Sequence, residues 1–235
     1  MTSNARELAQ YPSAPQGRKN ILTNGAMTVA QRSTSATNVS TAGYHACDRW
    51  NFTLSGRDQA VFTFSQNTSS IVAGLSNSLK VQTTTAESAI ASDEFFIVRQ
   101  KVEARDLQHL AYATSSAKST TLSFYVKSSV AATFAVYLYK PDSTARVIGG
   151  TYTINSADTW EFKTLTFAGD TDSGATITND NDEGLHIAFP LAVGSDFTAT
   201  DNTSWADYST GNLAFGHAGN AVVTTTNATW EITRS

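Results

Sequence analysis

From Ile21 onward the sequence is built of short stretches in which apolar residues fall at every second position, cut apart by clusters of Gly, Asn, Asp and Ser. That period belongs to a strand, whose successive side chains point to opposite faces, and it excludes a helical bundle. In TLSFYVKSS, Leu122, Phe124 and Val126 share one face while Ser123, Tyr125 and Lys127 share the other. The next stretch repeats the pattern, with Phe134, Val136 and Leu138 inward and Ala135, Tyr137 and Tyr139 outward. Trp50, Phe52 and Leu54 alternate too, as do Phe96, Val98 and Val102, and the series Leu185, Ile187, Phe189, Leu191 and Val193. Each of these stretches reads as half-buried. In WEFKTLTF the apolar set slips by one residue between Trp160/Phe162 and Leu165/Phe167, so a β-bulge is expected near Lys163 and Thr164.

EARDLQHLAY, with Leu107 and Leu110 three apart, is the one internal stretch that reads as a helical turn. About ten strands without a repeat period predict an all-β fold, an antiparallel β-sandwich of jelly-roll type whose sheets bury their inner faces against each other. Residues 1–20 read as an arm, because YPSAPQGRKN carries two prolines and a glycine, and residues 21–235 read as the sandwich. The 60 Ser and Thr of the 235 residues then belong on the outward faces of strands.

Charge narrows the partners. A formal net charge of -4, with no cluster of Lys or Arg, leaves nothing to neutralise phosphates, so nucleic acid is not an expected partner. No run of about 18 apolar residues is present, and no membrane partner is expected. The N-terminal MTSNARELAQ lacks the charged start and apolar centre of a secretory signal, which predicts synthesis in a cytoplasm. A lone cysteine, Cys47, excludes a disulfide framework, and no Cys/His spacing suits structural zinc. No cofactor motif occurs.

Catalysis is not expected. GxSxG, HExxH and P-loop patterns are absent, and His45 with Cys47 reads as a core thiol beside an exposed imidazole rather than a catalytic dyad. The loop GDTDSGATITNDNDEG gathers Asp170, Asp172, Asp180 and Asp182 together with Glu183 as weak calcium candidates, without the spacing of an EF-hand. More informative are the outward aromatics. Tyr125, Tyr137 and Tyr139 fall on one polar face of two strands read as an adjacent hairpin, mid-strand on a flat sheet, and are assigned to a subunit interface. Trp205 and Tyr208, in the loop NTSWADYSTGN, are assigned to a glycan platform, since flat aromatic rings stack on the apolar faces of pyranose rings. Trp50, Trp160 and Trp230 follow strand patterns and are expected in the core.

NILTNGAMTVAQRST and then YHACDRWNF resemble a domain of bacteriophage virion proteins, especially tail fibres and appendages. IVRQKVEARDLQHLAYATSSAKSTTLSFYVKSS, INSADTWEFKTLTFAGDT and GLHIAFPLAVGS resemble the same family in the same order, so the likeness spans roughly residues 20 to 233. It departs at the end, where the family's chains run on into a VQLE-type segment and this one closes on Ile232, Thr233, Arg234 and Ser235. The resemblance implies a carbohydrate-binding-module-like jelly roll, with Trp50 of DRW in the core and Asp48 paired to Arg49. It further implies a non-enzymatic virion protein: a tail-fibre module, homotrimeric, attached to other virion proteins and contacting host-surface glycans. The alternatives are a capsid decoration or head-fibre protein of purely structural role and, behind it, a free carbohydrate-binding module. The family has no fixed sugar-binding motif, so it assigns no binding residue.

Overall fold

A computed structural model describes residues 20–234, so the expected arm at residues 1–20 lies almost wholly outside the described residues. Twelve strands form two six-stranded antiparallel sheets. The first sheet holds β1 (Ser35–Val39), β3 (Val61–Asn67), β4 (Ser78–Thr85), β12 (Thr229–Thr233), β6 (Thr120–Ser128) and β9 (Glu161–Phe167), in that spatial order. The second holds β11 (Ala206–Asp207), β8 (Arg146–Thr153), β7 (Thr133–Lys140), β10 (Glu183–Val193), β5 (Phe95–Glu103) and β2 (Trp50–Ser55). Sequence neighbours mostly change sheets, which is how a sandwich covers both inner faces with short connections. The antiparallel β-sandwich expected from the alternation is the fold observed.

The core lies between the sheets and is dominated by rings. Phe52 packs on Phe62 and Phe64 at centroid separations of 5.2 and 4.9 Å, and Phe189 bridges Phe124 and Trp230 at 5.2 and 5.8 Å. Trp230, fully buried on β12, donates its indole N–H to the Tyr152 hydroxyl at 3.2 Å, so the largest core side chain has its one polar atom satisfied. Leu122, Phe124 and Val126 face inward on β6, as the period requires. Hydroxyl pairs on the outer faces, Thr121 with Thr166 and Thr133 with Thr153, account for part of the Ser/Thr excess as cross-strand bonds of 3.0 and 2.9 Å.

Four local expectations are corrected. β6 and β7 are not a hairpin, because Ser129 to Ala132 carries the chain from one sheet to the other, with Val130 and Ala132 packed on the core. β9 pairs with β6 in unbroken register from Thr120↔Phe167 to Val126↔Glu161, so no bulge occurs at Lys163. Leu165 and Phe167 set the inward face instead, and Phe162 points out, 57% exposed. Trp160 is likewise outside the core: its N–H donates to the Ser70 carbonyl at 2.7 Å and the Lys127 ammonium lies 5.0 Å over its ring. Trp50 is buried as expected, but Asp48 does not pair with Arg49, since its Oδ1 accepts from the Gln31 amide at 3.2 Å. The turn at Leu107 is a 3-10 helix, Ala104–Leu110, whose period of three buries Ala104, Leu107 and Leu110 together. A further helical turn, α1 (Ala221–Thr224), buries Val222 and Val223.

β10 is not half-buried, because every residue from Gly184 to Val193 is buried. Its inward residues meet the core, and its outward face is roofed by the segment 194–217. There Phe197, Leu213 and Ala214 pack over Ile97, Ala135, Tyr137, Val147 and Ala188 in a second apolar layer. The centre of the second sheet's outer face is therefore covered by the chain itself.

Candidate functional site

β8 carries adjacent glycines, and they shape the open edge of the sandwich. A Cβ on Gly149 would lie 2.3 Å from Asn202 Nδ2, so only a glycine lets the loop at 201–205 close down on the strand. The Gly149 amide donates to the Asn202 carbonyl at 2.7 Å, and Asn202 Nδ2 donates to the Leu213 carbonyl at 3.0 Å, which seats that loop. Trp205 follows directly. Its indole N–H donates to the Ala168 carbonyl at 2.7 Å and its ring meets Tyr112 edge-on at 5.6 Å, so the half-buried ring has a fixed orientation.

Between β8, the edge strand β9 and the loops at 168–172 and 203–205 lies an open cleft of about 660 Å³. Its apolar wall is Trp205 with Leu165 and Phe167, and its polar wall comprises Thr166, Thr171, Thr203 and Ser204 with Arg146, Asp170 and Asp172. Arg146, 8% exposed, organises the charges: Nε donates to Asp170 Oδ2 and Nη1 to Asp207 Oδ1, both at 2.6 Å, with Asp172 Oδ2 3.8 Å away. The acids outnumber the guanidinium, and the outer pair, Asp172 and Asp207, remain open to solvent. A cleft of this size, with one flat ring, several hydroxyls and exposed carboxylate oxygens, matches a polyhydroxylated ligand.

The sequence-assigned residues are dispersed. Trp205 lines the cleft; Tyr208, three residues on, lies on the outer face of the second sheet with its ring 5.2 Å from Tyr139, so the expected Trp205/Tyr208 platform is two separate surfaces. Tyr125, Tyr137 and Tyr139 do not share a face either. Tyr125 stands on the outer face of the first sheet, where it pairs across strands with Phe162 at 5.0 Å. Tyr137 is 5% exposed beneath the roof of segment 194–217, and Tyr139 is half-buried between His186 and Tyr208. The shared surface inferred from alternation fails because β6 and β7 belong to different sheets.

Nor does the acidic loop converge on one point. Asp170, 1% exposed, is held by Arg146, and Asp172 Oδ1 accepts from the Gly174 amide at 2.8 Å. Asp180 Oδ1 accepts from the Asp182 amide at 3.0 Å, and the Asp182 carbonyl accepts from Ala104. Arg146 thus holds Asp170, and backbone amides take one oxygen each of Asp172 and Asp180. Cys47 is buried, and burial followed by the Asp48 charge pushes its thiol up to about 12, which removes it as a nucleophile at neutral pH. His45 packs against Phe64 at 5.3 Å and bonds to the Thr41 carbonyl. What sequence reasoning missed in the cleft is Arg146, the glycine pair and Leu165. Only the Gly-Gly dipeptide inside a strand pattern was a usable signal there.

No protein-family model matches the chain, and no curated protein matches it. Among solved structures, one described as CBM4 is 12% identical, with a TM-score of 0.42, covering 91% of this chain and 95% of the other. A putative sugar binding protein from Bacteroides thetaiotaomicron is 14% identical, with a TM-score of 0.47 and coverages of 92% and 97%. The enzymatically active domain of tailspike protein 4 from Bacteriophage CBA120 is 11% identical, with a TM-score of 0.42, covering 91% of this chain and 21% of that one. At these values the likenesses assign this chain neither to a family nor to a site.

Proposed function

We propose that the chain is a non-catalytic glycan-binding β-sandwich module carried on a bacteriophage tail fibre or appendage, where it contacts the host surface. The observation that carries glycan binding is the cleft: an indole fixed in orientation by Ala168 and Tyr112, faced by hydroxyls and by the open oxygens of Asp172. A pyranose ring would lay its C–H face on Trp205 and direct its hydroxyls to Thr203, Ser204 and Asp172. The virion placement rests on the ordered sequence blocks that resemble tail-fibre proteins. The full chain, titrated against a panel of host-surface polysaccharides, is expected to bind at least one. Trp205→Ala is expected to weaken that binding about 30-fold, the equivalent of an anchor worth about 2 kcal/mol, with its thermal midpoint monitored in parallel. Binding by a folded Trp205→Ala protein with wild-type affinity would overturn the assignment of the cleft. Labelled antibody on intact virions tests the location, and decoration spread over the head would favour the capsid alternative.

The homotrimer is part of the same proposal, on a different surface from that first expected. Tyr137 is spent inside the chain, whereas Tyr125 and the 57%-exposed Phe162 present an aromatic pair on the first sheet for a heterologous, ring-closing contact. Light scattering of the full chain at micromolar concentration is expected to return three times the monomer mass, and a monomer mass would dismiss the trimer.

A further inference from the structure

Two connections that cross between the sheets meet at one end of the sandwich, and each brings acid to the meeting point. The β2–β3 connection supplies Asp58, while the β4–β5 connection supplies Glu87 and Glu94. One oxygen from each of the three carboxylates lies within 4.8 Å of one from each of the others. Glu87 and Glu94 are both 1% exposed, and Asp58 is open to solvent. Among the described residues, none of the three makes an ion pair with a lysine or arginine. Three carboxylates this close, two of them buried and with no counter-charge, is an arrangement that solvation does not explain.

The backbone around the trio holds it in place. Glu87 Oε2 accepts from the Ala60 amide at 2.9 Å, and both of its oxygens accept from Gln59 at 3.2 Å, so Glu87 already ties its connection to the β2–β3 turn. Glu94 Oε2 accepts from the Ala91 amide at 2.7 Å. Glu94 Oε1 is buried and has no hydrogen-bond partner among the described residues, which leaves one acceptor of the trio open to a ligand. The stem of Glu94 is fixed by Gly56, whose φ of +76° suits glycine and where a Cβ would come within 2.6 Å of Glu94 Cγ.

We propose that Asp58, Glu87 and Glu94 form a binding site for a hard divalent cation of calcium size, which joins the two sheet-crossing connections. All the donors are carboxylate oxygens, the ligand type that such ions select. Oxygens that share one calcium ion stand at most about 4.8 Å apart, twice a bond of roughly 2.4 Å, and the three carboxylate oxygens lie within that limit. Magnesium demands a shorter, near-ideal octahedron, which two carboxylates pinned by backbone amides suit less well. Water at the exposed Asp58 side completes the shell. The ion would supply the missing partner of Glu94 Oε1 and cancel the repulsion among the three acids. This site is separate from the acidic loop at 170–183 and from the cleft, and it stands whether or not a glycan binds.

The experiment uses the full chain stripped with EDTA and titrated with calcium chloride by calorimetry, with thermal midpoints recorded alongside. One calcium per chain is expected, with a midpoint rise of about 5 to 10 °C once the free ion exceeds Kd about 100-fold, and a smaller rise with magnesium. Asp58→Asn, on an exposed residue, is expected to retain the fold and lose most of the shift, and the isosteric Glu94→Gln to lose it altogether. No heat and no midpoint shift in the wild-type chain overturns the proposal. So does a calcium shift that survives both substitutions, which would place the ion elsewhere.

Discussion

Arg146→Met is expected to lower the thermal midpoint by about 10 °C, although it exchanges one long side chain for another and leaves the apolar core untouched. Asp170 is 1% exposed, and its carboxylate is neutralised by the Arg146 Nε contact at 2.6 Å. Without the guanidinium, Asp170 keeps a buried charge with Asp172 as its acidic neighbour, and breaking such a pair from one side costs about 3–5 kcal/mol. At roughly 2–4 °C per kcal/mol for a chain of this length, that is the predicted shift. Removing both partners is a different experiment. Arg146→Met with Asp170→Leu deletes the buried charge as well, and is expected to recover most of the loss. The single variant should also bind glycan poorly, because the loop at 168–172 carries the Ala168 carbonyl that orients Trp205. Calorimetric melts of the three proteins check the ordering, and a single variant melting within about 2 °C of wild type would show that Asp170 is not dependent on Arg146.

The strands were legible because a half-buried sheet writes its period into the sequence. Leu122, Phe124 and Val126 identify β6 and its inward face without reference to any other segment. Which strands pair is a different kind of information. The four residues between β6 and β7 carry no hairpin turn signature, and whether they fold back or cross to the other sheet depends on Val130 and Ala132 finding the core. Tyr137 was misplaced for a related reason. Its roof, Phe197, Leu213 and Ala214, is 60 to 77 residues away in sequence and leaves no mark on β7 itself. In the cleft, Trp205 stood out as a loop aromatic, but Arg146, Gly150 and Leu165 are ordinary strand residues until the fold sets them opposite it. The acids show the same contrast: the dense run at 170–183 does not converge, with Asp170 held by Arg146 and Asp172 and Asp180 by neighbouring amides, whereas Asp58, Glu87 and Glu94 are scattered and are brought together only by the crossings.

Acid is expected to begin destabilising the protein before its carboxylates titrate, through His186, which is buried, and His217, which is half-buried, both held without charge. Burial, reinforced by the Arg99 charge, lowers His186 to about 4 despite the opposing bond to Glu183. Burial lowers His217 to about 4 as well, and its Nδ1 accepts a hydrogen bond from the Ala135 amide, which only an unprotonated nitrogen can do. Their unfolded value is 6.5, so between pH 6.5 and 4 the unfolded chain binds the protons that the folded chain refuses. Stability contributed by the neutral imidazoles is thus complete above that window and lost as the pH falls through it. The loss is about 3 kcal/mol per histidine by the bottom of the window. Glu161, held down to about 2 mainly by Lys163 and backbone amides in opposition to burial, adds its own loss only below its ordinary value of 4.5, so the two effects separate along the pH axis. Denaturant titrations at pH 7, 6, 5 and 4 should show the decline, and the double substitution His186→Gln, His217→Gln should flatten it between pH 6.5 and 5. A wild-type chain equally stable at pH 7 and pH 5 would mean that the imidazoles are free to charge in place. His217 belongs to the roofing segment that also carries Trp205, so glycan binding by the folded chain is expected to fade only as the pH approaches 4, where His217 protonates in place, breaks the Ala135 bond and loosens that segment from the second sheet.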